Sequence, residues 1–300
     1  MSETKTVKSA VLAVARMENP YLVEWVTYHL NLGFNHVFVC DNNFEGEEDI
    51  SSFLDEHLET FLRERVTVFN HHNDATVYRQ MRYYSNYVRM YKDEYDWIAC
   101  IDVDEFVTFA GDSGFNNVND FLSQDIFDNA GQILLNWMMY GDNNLLEADT
   151  TTGVQERFTK PAVLNCGQND NPNRHVKSIV NCRMLTSPPV FTNPHCMRCA
   201  NSVRPNGVKC ENTPFHIPDF SVAYIRHYYT KTMTEFLNKV IRGRADNGNA
   251  TKTALPVLMN YLKVFLQLNE MNDEKRKIFM SFLVSNYTED EIAKAISQIG

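Results

Sequence analysis

Along the first hundred residues, apolar runs of strand length alternate with segments of helical spacing. Val7–Ala15 is apolar and β-branched, which predicts a strand, and PYLVEWVTYHLNL (20–32) predicts a helix with Asn19 as N-cap, Pro20 at its first position and Gly33 as its stop. HVFVC (36–40) reads as a second strand, Asp49–Leu62 as a second helix and Val66–Phe69 as a third strand. Thr76–Tyr91 reads as a long helix with tyrosines on more than one side. WIACI (97–101) is short and almost wholly apolar, as a strand covered on both sheet faces should be. Strand and helix in alternation predict an α/β fold, with a mostly parallel, doubly wound sheet flanked by helices.

The pattern then changes. GQILLNWMMYGD (131–142) is one more apolar strand, but 141–215 is rich in Asn, Pro, Thr and Cys and short of helical spacing, so loops and short strands are expected there. Val222–His227 predicts a strand and Thr232–Arg242 a helix. From Leu255 onward, apolar positions such as Leu258, Leu262, Phe265 and Leu266 predict two or three helices, which would cap the sheet or a partner subunit.

Composition narrows the function. The 300 residues carry a formal charge of −10, which disfavours a duplex nucleic-acid partner while leaving room for one phosphorylated ligand held through a metal ion. Nineteen Phe, 14 Tyr and 3 Trp suit a large core and a site that stacks on ring-shaped ligands. The first twenty residues hold an apolar run of only six (Ala10–Ala15), too short for a signal peptide, and no run approaches a membrane span. A cytoplasmic protein is expected, with any membrane contact peripheral, at the inner face, and with homo-oligomer formation left open. Seven Cys spread through strand-like segments read as reduced thiols.

The chemistry concentrates in DVDE (102–105), directly after the apolar fourth strand, where open α/β sheets bind ligands. In an extended chain Asp102 and Asp104 point to one side, about 5–7 Å apart. Two such carboxylates repel unless a cation lies between them, and a divalent ion with phosphate oxygens is the usual solution. The bland alternative is a solvated acidic turn.

Four segments carry a family resemblance: ARMENPYLVEWVTYHLNLGFNHVFVCDNN (15–43), DVDEF (102–106), NWMMYGDNN (136–144) and IRHYYTKTMTEFLNKVIRG (225–243). Together, and in this order, they resemble metal-dependent glycosyltransferases of the GT-A fold, in the group around glycosyltransferase family 92 and the family-2-like set. The resemblance implies a GT-A, Rossmann-like domain over 1–245. Within it, 1–110 would form the nucleotide-sugar half and 111–245 the acceptor half, the latter with a loop and strand insertion at 145–220. A helical extension would cover 246–300.

It also implies a nucleotide-sugar donor, a UDP-hexose with UDP-galactose favoured, and a glycan or lipid-linked glycan acceptor. Mn²⁺ or Mg²⁺ would be held by Asp102, Asp104 and His227, and transfer would invert the anomeric carbon. The nucleotide set it implies is Ala13, Arg16, Glu18, Asp41, Asn42, Gln80, Asp102, Val103, Lys231 and Arg242, with Arg79, Asn86, Lys239 and Arg244 as further candidates. Asp142 is the expected base and Asp219 its reserve, while Trp137 offers a ring face to a sugar.

Simpler readings stand beside these: an ion pair for Arg16 and Glu18, turn residues for Asn42 and Asp142, core packing for Trp25, His29, Tyr83, Tyr84 and Tyr87. Two other functions compete: a nucleotide- or sugar-binding protein of this fold without turnover, and a divalent-metal phosphohydrolase. Cys196, Cys199, Cys210 and His216 resemble a zinc set in type but not in spacing.

Overall fold

The computed structural model describes residues 5–149, 151–164, 167–185, 187–243 and 254–297. The chain divides into two compact units, Met1–Met138 with Pro172–His227, and Met139–Asn171 with Tyr228–Gly300. The boundary expected at 245/246 lies outside the described residues.

The first unit is built on a mixed sheet. Its strands are β1 (Ser9–Ala15), β2 (His36–Asp41), β3 (Val66–Asn70), β4 (Trp97–Cys100), β5 (Glu105–Phe109), β6 (Gln132–Met139), β7 (Val176–Asn181), β8 (Ser202–Val203), β9 (Lys209–Cys210) and β10 (Ala223–His227). The order is β3-β2-β1-β4-β7-β6-β10-β5, with β8 and β9 attached to β6. The β3-β2-β1-β4 half is parallel, as the alternation predicted. β7 runs antiparallel to both β4 and β6, and β5 antiparallel to β10.

Helices α1 (Asn19–Asn31), α2 (Ile50–His57), α3 (Thr60–Arg63) and α4 (Arg79–Tyr91) connect the parallel half. Because side chains alternate along a strand, Ala10, Leu12, Phe38, Cys40, Ile98 and Cys100 share one sheet face, where Tyr83, Tyr84, Tyr87 and Val88 of α4 cover them. α1 lies against β2 and β5. Trp25 and His29 of α1 are fully buried, as core residues should be. The short helix α5 (Val118–Leu122) is capped by Asn117, whose Oδ1 accepts from Asn119 N–H at 2.8 Å.

Local chemistry sets the element ends. The N-cap of α1 is Glu18 rather than Asn19, which lies inside the first turn. Gly33 follows the helix at φ +110°, a conformation that a side chain would strain. The second helix is broken at Leu58 and Glu59, and Asp49 caps its first half by accepting from Ser52 N–H at 2.7 Å. α4 starts at Arg79 rather than Thr76, because Tyr78 takes a left-handed conformation. The loop-rich middle contributes β7, a fully buried strand of the central sheet, where only short strands were expected.

The second unit contains α6 (Val154–Arg157), α7 (Met233–Ile241), α8 (Leu255–Leu268), α9 (Asp273–Asn286) and α10 (Glu289–Ser297). Its core joins Phe236 and Val240 of α7 to Leu258, Leu262 and Phe265 of α8 and to Phe279 and Leu283 of α9. Thr232 and Glu235 form a reciprocal cap at the start of α7. Glu235 also takes both ends of the Arg157 guanidinium, each at 2.9 Å, with both side chains buried. No described helix is long and apolar enough to cross a membrane.

Candidate functional site: an acidic turn with a buried lysine

After β4 the chain turns instead of staying extended. Glu105 N–H donates to the Asp102 carbonyl at 3.1 Å, and the Glu105 carboxylate accepts the Asp102 N–H at 2.9 Å. Trp25 of α1 anchors the same turn by donating its Nε1–H to the Glu105 carbonyl at 2.8 Å. The same-side placement expected of Asp102 and Asp104 therefore gives way to separate partners.

Asp102, a third exposed, accepts from Lys177 Nζ at 2.8 Å on Oδ2, and from Gln80 Nε2 at 2.6 Å and Tyr84 hydroxyl at 3.3 Å on Oδ1. Asp104 is buried, with Oδ1 3.5 Å from His227 Nε2. The register explains the second pairing, since His227, the last residue of β10, lies directly across from Glu105, the first of β5.

Lys177 is the cation of this cluster. It projects from β7, whose Ser178 is in register with Cys100, so it stands beside the end of β4. Its side chain is 1% exposed, and Nζ lies 3.6 Å from Glu105 as well. Burial raises the Asp102 carboxyl, but the Lys177 ammonium outweighs it, and the net shift is downward. Burial dominates at Glu105, where Lys177 pulls down and the neighbouring aspartates push up, so that this carboxyl is held well above its usual range. Glu105 Oε1 is buried, 3.9 Å from His227 Nδ1, and makes no hydrogen bond among the described residues.

An aromatic cluster adjoins the acidic turn. Trp137 stacks on His175 at 4.6 Å and meets His227 at 4.3 Å and His195 at 5.2 Å edge-on. The Trp137 face expected to receive a sugar is thus occupied on one side by an imidazole. His195 Nδ1 lies 3.1 Å from the Val176 carbonyl, and burial lowers its pKa to about 3.

Several expected nucleotide contacts have internal occupations. Ala13 is fully buried in mid-strand opposite Val39, so its side chain faces protein. Arg16 forms a two-pronged ion pair with Glu47 at 2.9 and 2.5 Å and covers the Phe44 ring. Asp41 accepts from both nitrogens of Asn43 and from Ile50 N–H, and pairs with His72 at 2.9 Å, which pins the start of α2. Asn42 is buried and donates to the carbonyls of His71 and Asp74. Glu18, Arg79 and Val103 are buried, whereas Asn86 is exposed. Of the nucleotide set, the structure brings Gln80, Asp102 and Val103 together at the turn.

Asp142, Lys231, Lys239 and Arg242 belong to the second unit, and Arg244 lies outside the described residues. Asp142 is buried, accepts from Asn144 N–H at 2.9 Å and pairs with the fully buried Lys275 at 2.5 Å. Such a pair is structural in effect, since removing its charge strands an ammonium. Lys231 is buried at φ +51°, and Arg242 caps the end of α7. Lys239 donates to the Tyr229 carbonyl at 3.2 Å. Asp219 precedes β10, whereas the acidic turn meets its last residue, so Asp219 lies at the wrong end of that strand to act there.

The three residues expected to hold a metal ion are not equivalent in the structure. Asp104 and His227 offer an oxygen and a nitrogen 3.5 Å apart, a donor set that suits Mn²⁺ or Mg²⁺ completed by diphosphate and water. Asp102 fits less well, because Lys177 already neutralises it. Among the described residues no three His, Cys, Asp or Glu side chains are grouped to hold a metal ion, which also applies to Cys196, Cys199, Cys210 and His216.

Sequence reasoning passed over Lys177, His175 and His195, and took Glu105 as part of the acidic cluster without a role of its own. The available signal was VKSIV (176–180), a lysine one residue into a β-branched run, within a segment whose composition reads as loop.

Comparison with known proteins adds an independent line. The model of glycosyltransferase family 92 matches residues 17–257. A glycosyltransferase family 92 protein of Arabidopsis thaliana is 30% identical over 197 residues, which cover 62% of this chain and 32% of that protein. The chain thus spans about a third of the curated relative it matches. The crystal structure of S. aureus TarS aligns with 86% of this chain and 43% of its own, at 13% identity and a TM-score of 0.37.

Proposed function

Because this chain belongs to glycosyltransferase family 92, we propose that it moves a sugar from a nucleotide-sugar donor to a hydroxyl of a glycan or lipid-linked glycan. The observation that carries the reading is the D-V-D-E turn at the carboxyl end of β4, inside the matched span, where a parallel sheet opens a ligand crevice. In this reading the donor is a UDP-hexose, UDP-galactose first, and Asp104 and His227 hold Mn²⁺ or Mg²⁺. Such an ion supplies positive charge against the departing diphosphate. Asp102, oriented by Gln80, Tyr84 and Lys177, accepts a hydrogen bond from a donor hydroxyl on its exposed side. Inversion at the anomeric carbon is the finer form of the proposal.

The test is UDP release from a panel of UDP-sugars with Mn²⁺, since transferases hydrolyse donors slowly without acceptor. UDP should appear with one sugar, and Asp104→Asn should reduce its release by about a hundredfold or more. If no donor gives UDP and none shifts the melting temperature in a Mn²⁺-dependent way, the proposal is wrong.

A further inference from the structure

We infer that Lys177 is a resident cation of the acidic turn, occupying the position beside Asp102 that a divalent ion would otherwise take. The inference rests on the transferase reading only in expecting a metal ion nearby. Lys177 is a buried charge on a strand whose neighbouring positions, Val176, Ile179 and Val180, are apolar core. A buried ammonium is costly unless paired, and this one is paired with Asp102 at 2.8 Å, with a Glu105 oxygen 3.6 Å away. Glu105 in turn binds the Asp102 N–H, so one ammonium holds both ends of the turn.

Two consequences follow for the chain's own residues. The positive charge at 2.8 Å repels a second cation from the Asp102 carboxylate, so metal affinity belongs to Asp104 and His227. Asp102 is also held in one orientation by Lys177, Gln80 and Tyr84, with about a third of its side chain exposed. Lys177 is therefore a positioning residue that makes the two aspartates of the motif chemically unequal.

The experiment measures Mn²⁺ binding, by electron paramagnetic resonance of the free ion with UDP present, for the full chain and three variants. Asp102→Asn should bind Mn²⁺ within threefold of the unaltered protein. Lys177→Met should bind it at least tenfold more tightly, or gain a site if the unaltered protein has none. Lys177→Met combined with Asp102→Asn should lose that gain. A tenfold loss in Asp102→Asn, or equal or weaker binding in Lys177→Met, overturns the inference. Should Lys177→Met fail to fold, the Asp102→Asn arm decides alone. Binding only in Lys177→Met would sink the metal part of the proposed function while leaving the role of Lys177 standing.

Discussion

His29 couples the stability of the first unit to mild acid. The ring has no solvent exposure, and both nitrogens are committed: Nδ1–H donates to the Trp25 carbonyl at 2.8 Å, and Nε2 accepts from Val107 N–H at 3.4 Å. That arrangement requires a neutral imidazole, because protonation would place a donor against a donor. Burial lowers the pKa from 6.5 to about 3. Between those two values the unfolded chain binds a proton that the folded chain refuses, so stability rises with pH through this window and is lost as pH falls below 6.5. One unit of pKa difference is worth about 1.4 kcal/mol, so lowering the pH to about 5 removes about 2 kcal/mol through His29 alone.

Urea unfolding followed by tryptophan fluorescence at about pH 7 and about pH 5 measures this loss. Other lowered histidines, such as His36 and His195, add to the total, so the decisive quantity is the difference between the protein and its His29→Gln variant. The variant should start less stable and lose about 2 kcal/mol less over the same interval. Parallel losses in the two proteins would refute the reasoning.

Two further outcomes concern the second unit. Asp142→Asn strands the buried Lys275 ammonium and should lower stability by about 3–5 kcal/mol. Thermal melting measures the loss, and an unchanged midpoint would show that the pair with Lys275 is not structural. Glu235→Gln breaks the two-pronged pair with Arg157 and should cost about 3–5 kcal/mol, with no change in Mn²⁺ affinity. A melting temperature within a degree of the original would contradict it.

The parallel half was legible because β1, β2 and β4 are nearly uniform apolar runs and the helices between them carry caps and stops in their residues. The acidic turn was legible as a place but not as a geometry. Extended spacing put Asp102 and Asp104 together, whereas the Glu105 side chain folds back on Asp102 N–H and closes a turn. Lys177 was hidden because a lysine reads as surface until its counter-charges are known, and those lie about seventy residues earlier in the chain. The expected roles of Arg16 and Asp41 failed for a related reason. Each has a partner whose proximity depends on loops, Glu47 for Arg16 and His72 for Asp41, and local pattern carries no information about such encounters.

The insertion of β7 between β4 and β6 also governs the order of assembly. Residues 9–100 can form four parallel strands as soon as they leave the ribosome, but Val176 follows Cys100 by 76 positions. At about 5–20 residues per second, β4 waits some 4–15 s with one edge open. That edge belongs to WIAC, apolar throughout and without a charge or proline to discourage pairing with another chain. During the same interval Asp102 lacks the Lys177 ammonium that pairs with it in the finished sheet. Nascent chains that stop short of residue 176 should therefore depend on chaperones and precipitate without them, while chains that reach Asn181 close the sheet edge and supply Asp102 with its ammonium in a single step.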